Sequence, residues 1–144
     1  MTNNLSPYLN FRDSARAALE FYATVFGGEP TFTAFGEFGA GEEMGVGAHE
    51  ADKIMHGQLI APNGYVLMAA DVPDRMPLTE GGSISVSLFG DDVDELTGYW
   101  EKLVDQGQVT VPLEQAPWGD RFGMCVDRFG ISWLVNISGS PDAG

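Results

Sequence analysis

The sequence predicts an α+β fold of two βαβββ halves, each a curved mixed sheet flanked by a helix. Three observations carry this. Two stretches have the apolar spacing of an amphipathic helix; each is preceded by a short apolar segment and followed by a β-rich stretch that closes in a hairpin. Nineteen glycines and eight prolines among 144 residues place many turns between short elements, which argues against a helical bundle.

In chain order, Pro7 to Phe11 reads as the first strand. Ser14 to Phe26 reads as a helix, because Ala18, Leu19, Tyr22, Val25 and Phe26 fall on one face. Asp13 or Ser14 is placed to cap its start and Gly27 its end. The first hairpin runs from Ile54 to Ala61, turns at Pro62-Asn63-Gly64 and returns from Tyr65 to Ala70. Pro73 to Gly82 is a joint, too short to make the halves independent, so residues 1–144 read as one domain of two halves, about 5–72 and 83–138.

The second half opens with Ile84 to Phe89, where Ile84, Val86 and Leu88 alternate with serines. A helix follows from Val93 to Gln106, with Val93, Leu96, Trp100, Leu103 and Val104 as its stripe. Asp92 and Glu95 give it a capping-box-like start and Gly107 a stop. The second hairpin pairs Phe122 to Val126 with Ile131 to Ile137 around Asp127-Arg128-Phe129-Gly130. From helix-ending glycine to hairpin glycine the intervals are 37 residues (Gly27 to Gly64) and 23 (Gly107 to Gly130). The surplus of the first half lies in Gly36 to Glu50, whose five glycines and four glutamates offer little apolar surface against the entropy of ordering, so a mobile loop is expected there.

Seven basic against 21 acidic residues give a net charge of −14, which repels phosphate backbones and anionic lipid; neither nucleic acid nor a membrane is an expected partner. No run of about 18 apolar residues is present. Cys125 is the single cysteine and no secretory leader pattern precedes the first element, so a cytoplasmic location is expected.

Several stretches resemble the PhnB-like, or 3-demethylubiquinone methyltransferase-like, branch of the vicinal oxygen chelate superfamily of glyoxalases, bleomycin-resistance proteins and dioxygenases. They are Pro7-Tyr8-Leu9-Asn10-Phe11, Phe21 to Gly28, Met55-His56-Gly57-Gln58-Leu59, Trp118 to Met124 and Asp127 to Asn136. The resemblance implies the glyoxalase-like fold and a homodimer. It also implies where a metal would sit: on the first and last strands of each half, the last-strand ligand being a glutamate four residues after the hairpin glycine. Those positions here are Met68 and Leu134, while Tyr8, Leu9 and Asn10 stand where a histidine is expected and Ser85 to Ser87 offer hydroxyls. Neither a thioether nor a leucine replaces a carboxylate for a hard or borderline ion, and His49 and His56 form no HxH or HxxxH pair, so no metal and no other cofactor is expected.

His56, on a predicted strand, is the candidate catalytic residue, since an imidazole with an ordinary pKa near 6.5 suits proton transfer; the alternative is a histidine satisfied by a neighbour. Tyr8, Asn10, Met68, Trp118, Asp120 and Trp133 are the candidate ligand-binding residues. For Trp118 and Asp120 the alternative is a conformational lock, the indole capping the core and the carboxylate holding the turn. The function these residues suggest is binding of a small organic molecule in a concave, mainly apolar pocket, with or without modest proton-transfer chemistry. A metal-dependent lyase or dioxygenase of the same superfamily lacks visible ligands. A quinone methyltransferase would need a glycine-rich strand-to-helix turn for S-adenosylmethionine, which is absent.

Overall fold

The computed structural model describes residues 5–38, 51–73, 78 and 84–139. The chain divides into two compact units, Met1–Thr79 and Glu80–Gly144, at the stretch read as the joint. Of Gly36 to Glu50, residues 39–50 lie outside the described residues, His49 among them; Gly36 to Phe38 belong to a 3₁₀ turn over Phe35–Phe38.

In the first unit, β1 (Tyr8–Phe11), α1 (Ala15–Phe26), β2 (Thr31–Ala34), β3 (Ile54–Ile60) and β4 (Val66–Asp71) form a sheet in the order β1-β4-β3-β2. β1 runs parallel to β4 and the other pairs are antiparallel. The crossover through α1 makes the parallel pair possible, whereas the tight turn at Gly64 allows only an antiparallel one. The second unit repeats the plan: β5 (Val86–Gly90), α2 (Val93–Val104), β6 (Gln108–Gln115), β7 (Arg121–Val126) and β8 (Ser132–Ile137), in the order β5-β8-β7-β6 with β5 parallel to β8.

Each helix covers one side of its own sheet. Leu19 and Tyr22 of α1 are buried with Leu9, Phe11, Leu59, Leu67 and Ala69; Leu96, Trp100 and Leu103 of α2 are buried with Leu88, Cys125, Trp133, Val135 and Ile137. The helices come close because the strand beneath each carries a glycine at the equivalent place. A Cβ on Gly57 would stand 2.7 Å from Leu19 Cδ1, and one on Gly123 would meet Leu113 Cα at 2.8 Å and the Trp100 ring at 2.9 Å.

The caps differ from those the sequence suggests. Ser14 makes no side-chain cap, and Asp13 instead pairs with Lys53 at 2.9 Å. The start of α1 is held by Asp71 at the far end of β4, whose Oδ1 accepts from the Ala15 N–H and whose Oδ2 accepts from the Ile54 N–H, both at 2.9 Å. α2 begins as expected, with Asp92 accepting from the Glu95 N–H at 3.0 Å. It ends at Val104, before the expected Gln106, because the left-handed residue that turns the chain is Gln106 itself, at φ 60°, rather than Gly107. β5 likewise starts later than the serine alternation suggests, leaving Ile84 83% exposed.

Candidate functional site

Residues alternate across a strand, so what α1 does not cover is presented on the other side of the first sheet. Two rows cross that side. The register aligns Tyr8 with Met68, Met68 with Gln58, and Gln58 with Thr31. One step along, Asn10 aligns with Ala70, and His56 aligns with Thr33 and, continuing the β3–β4 register, with Ala70. Four residues singled out in the sequence, Tyr8, Asn10, His56 and Met68, thus share one face. Gln58 and Thr33 join them; they were missed because polar residues on a strand show no signal until the register places them beside His56.

The rings of Tyr8 and His56 lie 6.0 Å apart, tilted by 36°. His56 is half-buried, and among the described residues nothing hydrogen-bonds its imidazole. The alternative of a histidine satisfied by a neighbour therefore finds no support in the described residues. Neither row contains an Asp, Glu, Lys or Arg side chain, which leaves His56 as the basic group of the face.

In the second unit, the side left bare by α2 carries a row of Phe89, Asn136, Phe122 and Glu114 and a row of Ser87, Leu134, Met124 and Val111. Trp118, in the turn before β7, is 64% exposed and meets Phe122 edge-on at 6.0 Å between centroids. Asp120 holds that turn: Oδ1 accepts from the Gly139 N–H at 2.8 Å and Oδ2 from the Asn136 amide at 3.1 Å. These two bonds, the backbone one foremost, hold its carboxyl below the usual pKa of 3.8. Asp120 is thus the turn's lock, while Trp118 caps no core.

Trp133 does not face the same way. It is buried to 1% on the α2 side, with its indole N–H donating to Asp127 Oδ2 at 2.8 Å. This corrects its expected place among ligand-binding residues: on β8 the alternation that turns Leu134 and Asn136 to the bare side turns Trp133 inward. Asp127, itself buried, also accepts from the N–H groups of Phe129 (2.8 Å) and Ile131 (3.1 Å) through Oδ1. Cys125 is buried beside it; desolvation, and secondarily the Asp127 charge, push its thiol up to about 11, which leaves it protonated and inert at neutral pH.

The positions that the family resemblance assigns to a metal can be tested on these registers. Tyr8 and Met68 stand side by side on β1 and β4, and Ser87 and Leu134 on β5 and β8. A phenol, a thioether, a hydroxyl and an isobutyl group do not fit a divalent ion. Among the described residues, no group of three or more His, Cys, Asp or Glu is arranged to hold one.

Comparison with known proteins agrees with the architecture. The family model of the Glyoxalase/Bleomycin resistance protein/Dioxygenase superfamily matches residues 5–135. The chain is 24% identical over 140 residues to protein YjdN of Escherichia coli (strain K12), covering 92% of this chain and 94% of that protein. The crystal structure of PA1353 from Pseudomonas aeruginosa superposes with a TM-score of 0.82 at 31% identity, over 96% of this chain and all of that one. A Bacillus cereus structure described as a putative 3-demethylubiquinone-9 3-methyltransferase, PhnB protein, gives 0.73 at 22% identity over 94% of this chain and all of that one, a likeness of fold.

Proposed function

From the premise that the chain belongs to the Glyoxalase/Bleomycin resistance protein/Dioxygenase superfamily, we propose that it binds a small organic molecule on the bare face of its first sheet. His56 is the group that exchanges a hydrogen bond, or a proton, with that molecule. The observation that supports this reading is the His56 imidazole, half-buried beside Tyr8 and without a hydrogen bond from any described residue. Solvent reaches the half-buried imidazole, so a bound ligand would take the place of water as its hydrogen-bond partner.

The rest of the face defines what would fit. Asn10, Gln58 and Thr33 bring amides and a hydroxyl, Tyr8 an aromatic wall and Met68 a deformable apolar one. With no formal charge in either row, the face suits an uncharged ring bearing a carbonyl or hydroxyl. The chemistry its own side chains offer is proton transfer through His56, since Tyr8, Met68, Ser87 and Leu134 at the family's metal positions are a poor donor set for a divalent ion. The methyltransferase wording attached to the Bacillus cereus protein has no counterpart here in a glycine-rich turn for S-adenosylmethionine.

The experiment is a titration with 4-hydroxyacetophenone, a neutral aromatic carbonyl and phenol, followed by side-chain imidazole resonances and calorimetry. The His56 resonance and the Met68 methyl should shift together, and His56→Ala should weaken binding at least tenfold while the melting temperature stays within a few degrees. If neither resonance moves up to millimolar ligand, or if His56→Ala binds as the parent does, the reading is wrong.

A further inference from the structure

The second unit presents a different surface, and its chemistry is complementary to a different ligand. On its bare side Phe89 and Phe122 stand one strand to either side of Asn136. Two strand spacings put their backbones roughly 10 Å apart, with a short amide between them as the floor. Phe89 is 74% exposed and Trp118 64%, large fractions for such rings on a soluble protein. Trp118 meets the Phe122 ring edge-on, so it stands at the Phe122 end of this row.

Two carboxylates accompany the three rings. Glu114 is the cross-strand partner of Phe122, and it has no ion-pair partner among the described residues. Asp120 reaches the floor through its bond from the Asn136 amide, and its own bonds favour the charged form. The unit has only three cationic side chains, and none is on this side. Lys102 is on α2; Arg128, at the β7–β8 turn, pairs with Asp105 at 3.2 Å; Arg121 alternates to the other side of β7 from Phe122. Ring faces carry negative potential and attract cations, most strongly weakly hydrated ones, and nearby carboxylates reinforce that attraction.

We infer that the bare face of the second sheet is a binding site for an organic cation, a quaternary or substituted ammonium group seated between Phe89 and Phe122 against Trp118, with Glu114 as counter-charge. The site is built within the second unit and does not depend on His56.

The test compares benzyltrimethylammonium with benzyl alcohol, its uncharged counterpart, on the full chain, by calorimetry and tryptophan emission. Trp100 and Trp133 are buried, so the emission response reports Trp118. The cation should bind at least ten times more tightly than the alcohol. Glu114→Gln should weaken it three- to tenfold, and Trp118→Leu at least fivefold. Phe89→Ser, on an exposed ring whose loss leaves the fold intact, should also weaken it at least fivefold, and this second variant keeps the test valid should the Trp118 turn loosen. His56→Ala should leave the cation affinity unchanged. Equal binding of alcohol and cation, no binding of the cation at millimolar concentration, or full affinity in both Phe89→Ser and Glu114→Gln would each overturn the inference. A loss of cation binding in His56→Ala would overturn it too, since the cation would then belong to the first face; failure of 4-hydroxyacetophenone to bind there bears only on the first reading.

Discussion

Asp127 does the work of several residues at once. Its carboxylate closes the β7–β8 turn through two backbone N–H groups and satisfies the indole of Trp133, all at a site it shares with almost no solvent. Removing it strands the buried Trp133 indole N–H and two part-buried backbone N–H groups, so Asp127→Ala should destabilise the protein by about 3 kcal/mol and Trp133→Phe by less, since it strands one acceptor. Chemical denaturation followed by near-ultraviolet circular dichroism measures both. Asp120 offers a pH-dependent counterpart. Its pKa is lower in the folded protein than in the unfolded chain, so the stabilisation is present above the unfolded value near 4 and is lost as pH falls through the folded one. The Gly139 amide should therefore exchange faster as pH drops below about 4, relative to the intrinsic rate, and Asp120→Ala should abolish that extra acceleration.

At the scale of elements, the two helices are seated by the same device with different tolerance. The Cβ of Gly57→Ala would meet only side chains, the tip of Leu19 at 2.7 Å and the Phe32 ring at 3.1 Å, whereas that of Gly123→Ala would meet backbone at Leu113 as well as the Trp100 ring. Gly57→Ala should cost about 1 kcal/mol and Gly123→Ala about 3 kcal/mol, the range of mild and severe overpacking. Equal losses in thermal unfolding would show that both strands give equally. The helix starts differ as well: Asp92 is a local cap, while Asp71 caps α1 from 56 residues away. Only the first kind has a sequence signature, because the Asp92-to-Glu95 spacing is read within one turn.

For the whole molecule, the duplication leaves two bare sheet faces of opposite character, one polar around His56 and one aromatic around Trp118. A chain of charge −14 also carries a field that draws cations toward both and resists polyanions. The family resemblance leads to the expectation of a homodimer, which would cover exposed sheet edges such as β6 by two-fold symmetry. Light scattering coupled to size exclusion should then give about twice 15.5 kDa at tens of micromolar; a mass of one chain would rule the homodimer out.

Most of the fold was legible in the order of residues. The strand, helix, strand, hairpin plan repeats in the apolar spacing of Ala18 to Phe26 and Val93 to Val104, and in the turn residues at Gly64 and Gly130, all of them signals carried by near neighbours. The family positions could be counted from those same glycines, which is how Met68 and Leu134 emerged. The tertiary structure alone decided which side of each strand faces a helix, and that sent Trp133 inward while leaving Phe89 and Phe122 outside. It also set the His56 ring beside Tyr8 with no hydrogen bond to its imidazole from the described residues, assigned Asp120 to the turn it locks, and set Asp71 at the start of α1. The reason is physical: periodicity and turn chemistry act over a few residues, whereas register and burial are set by contacts between segments tens of residues apart, to which a local pattern gives no access.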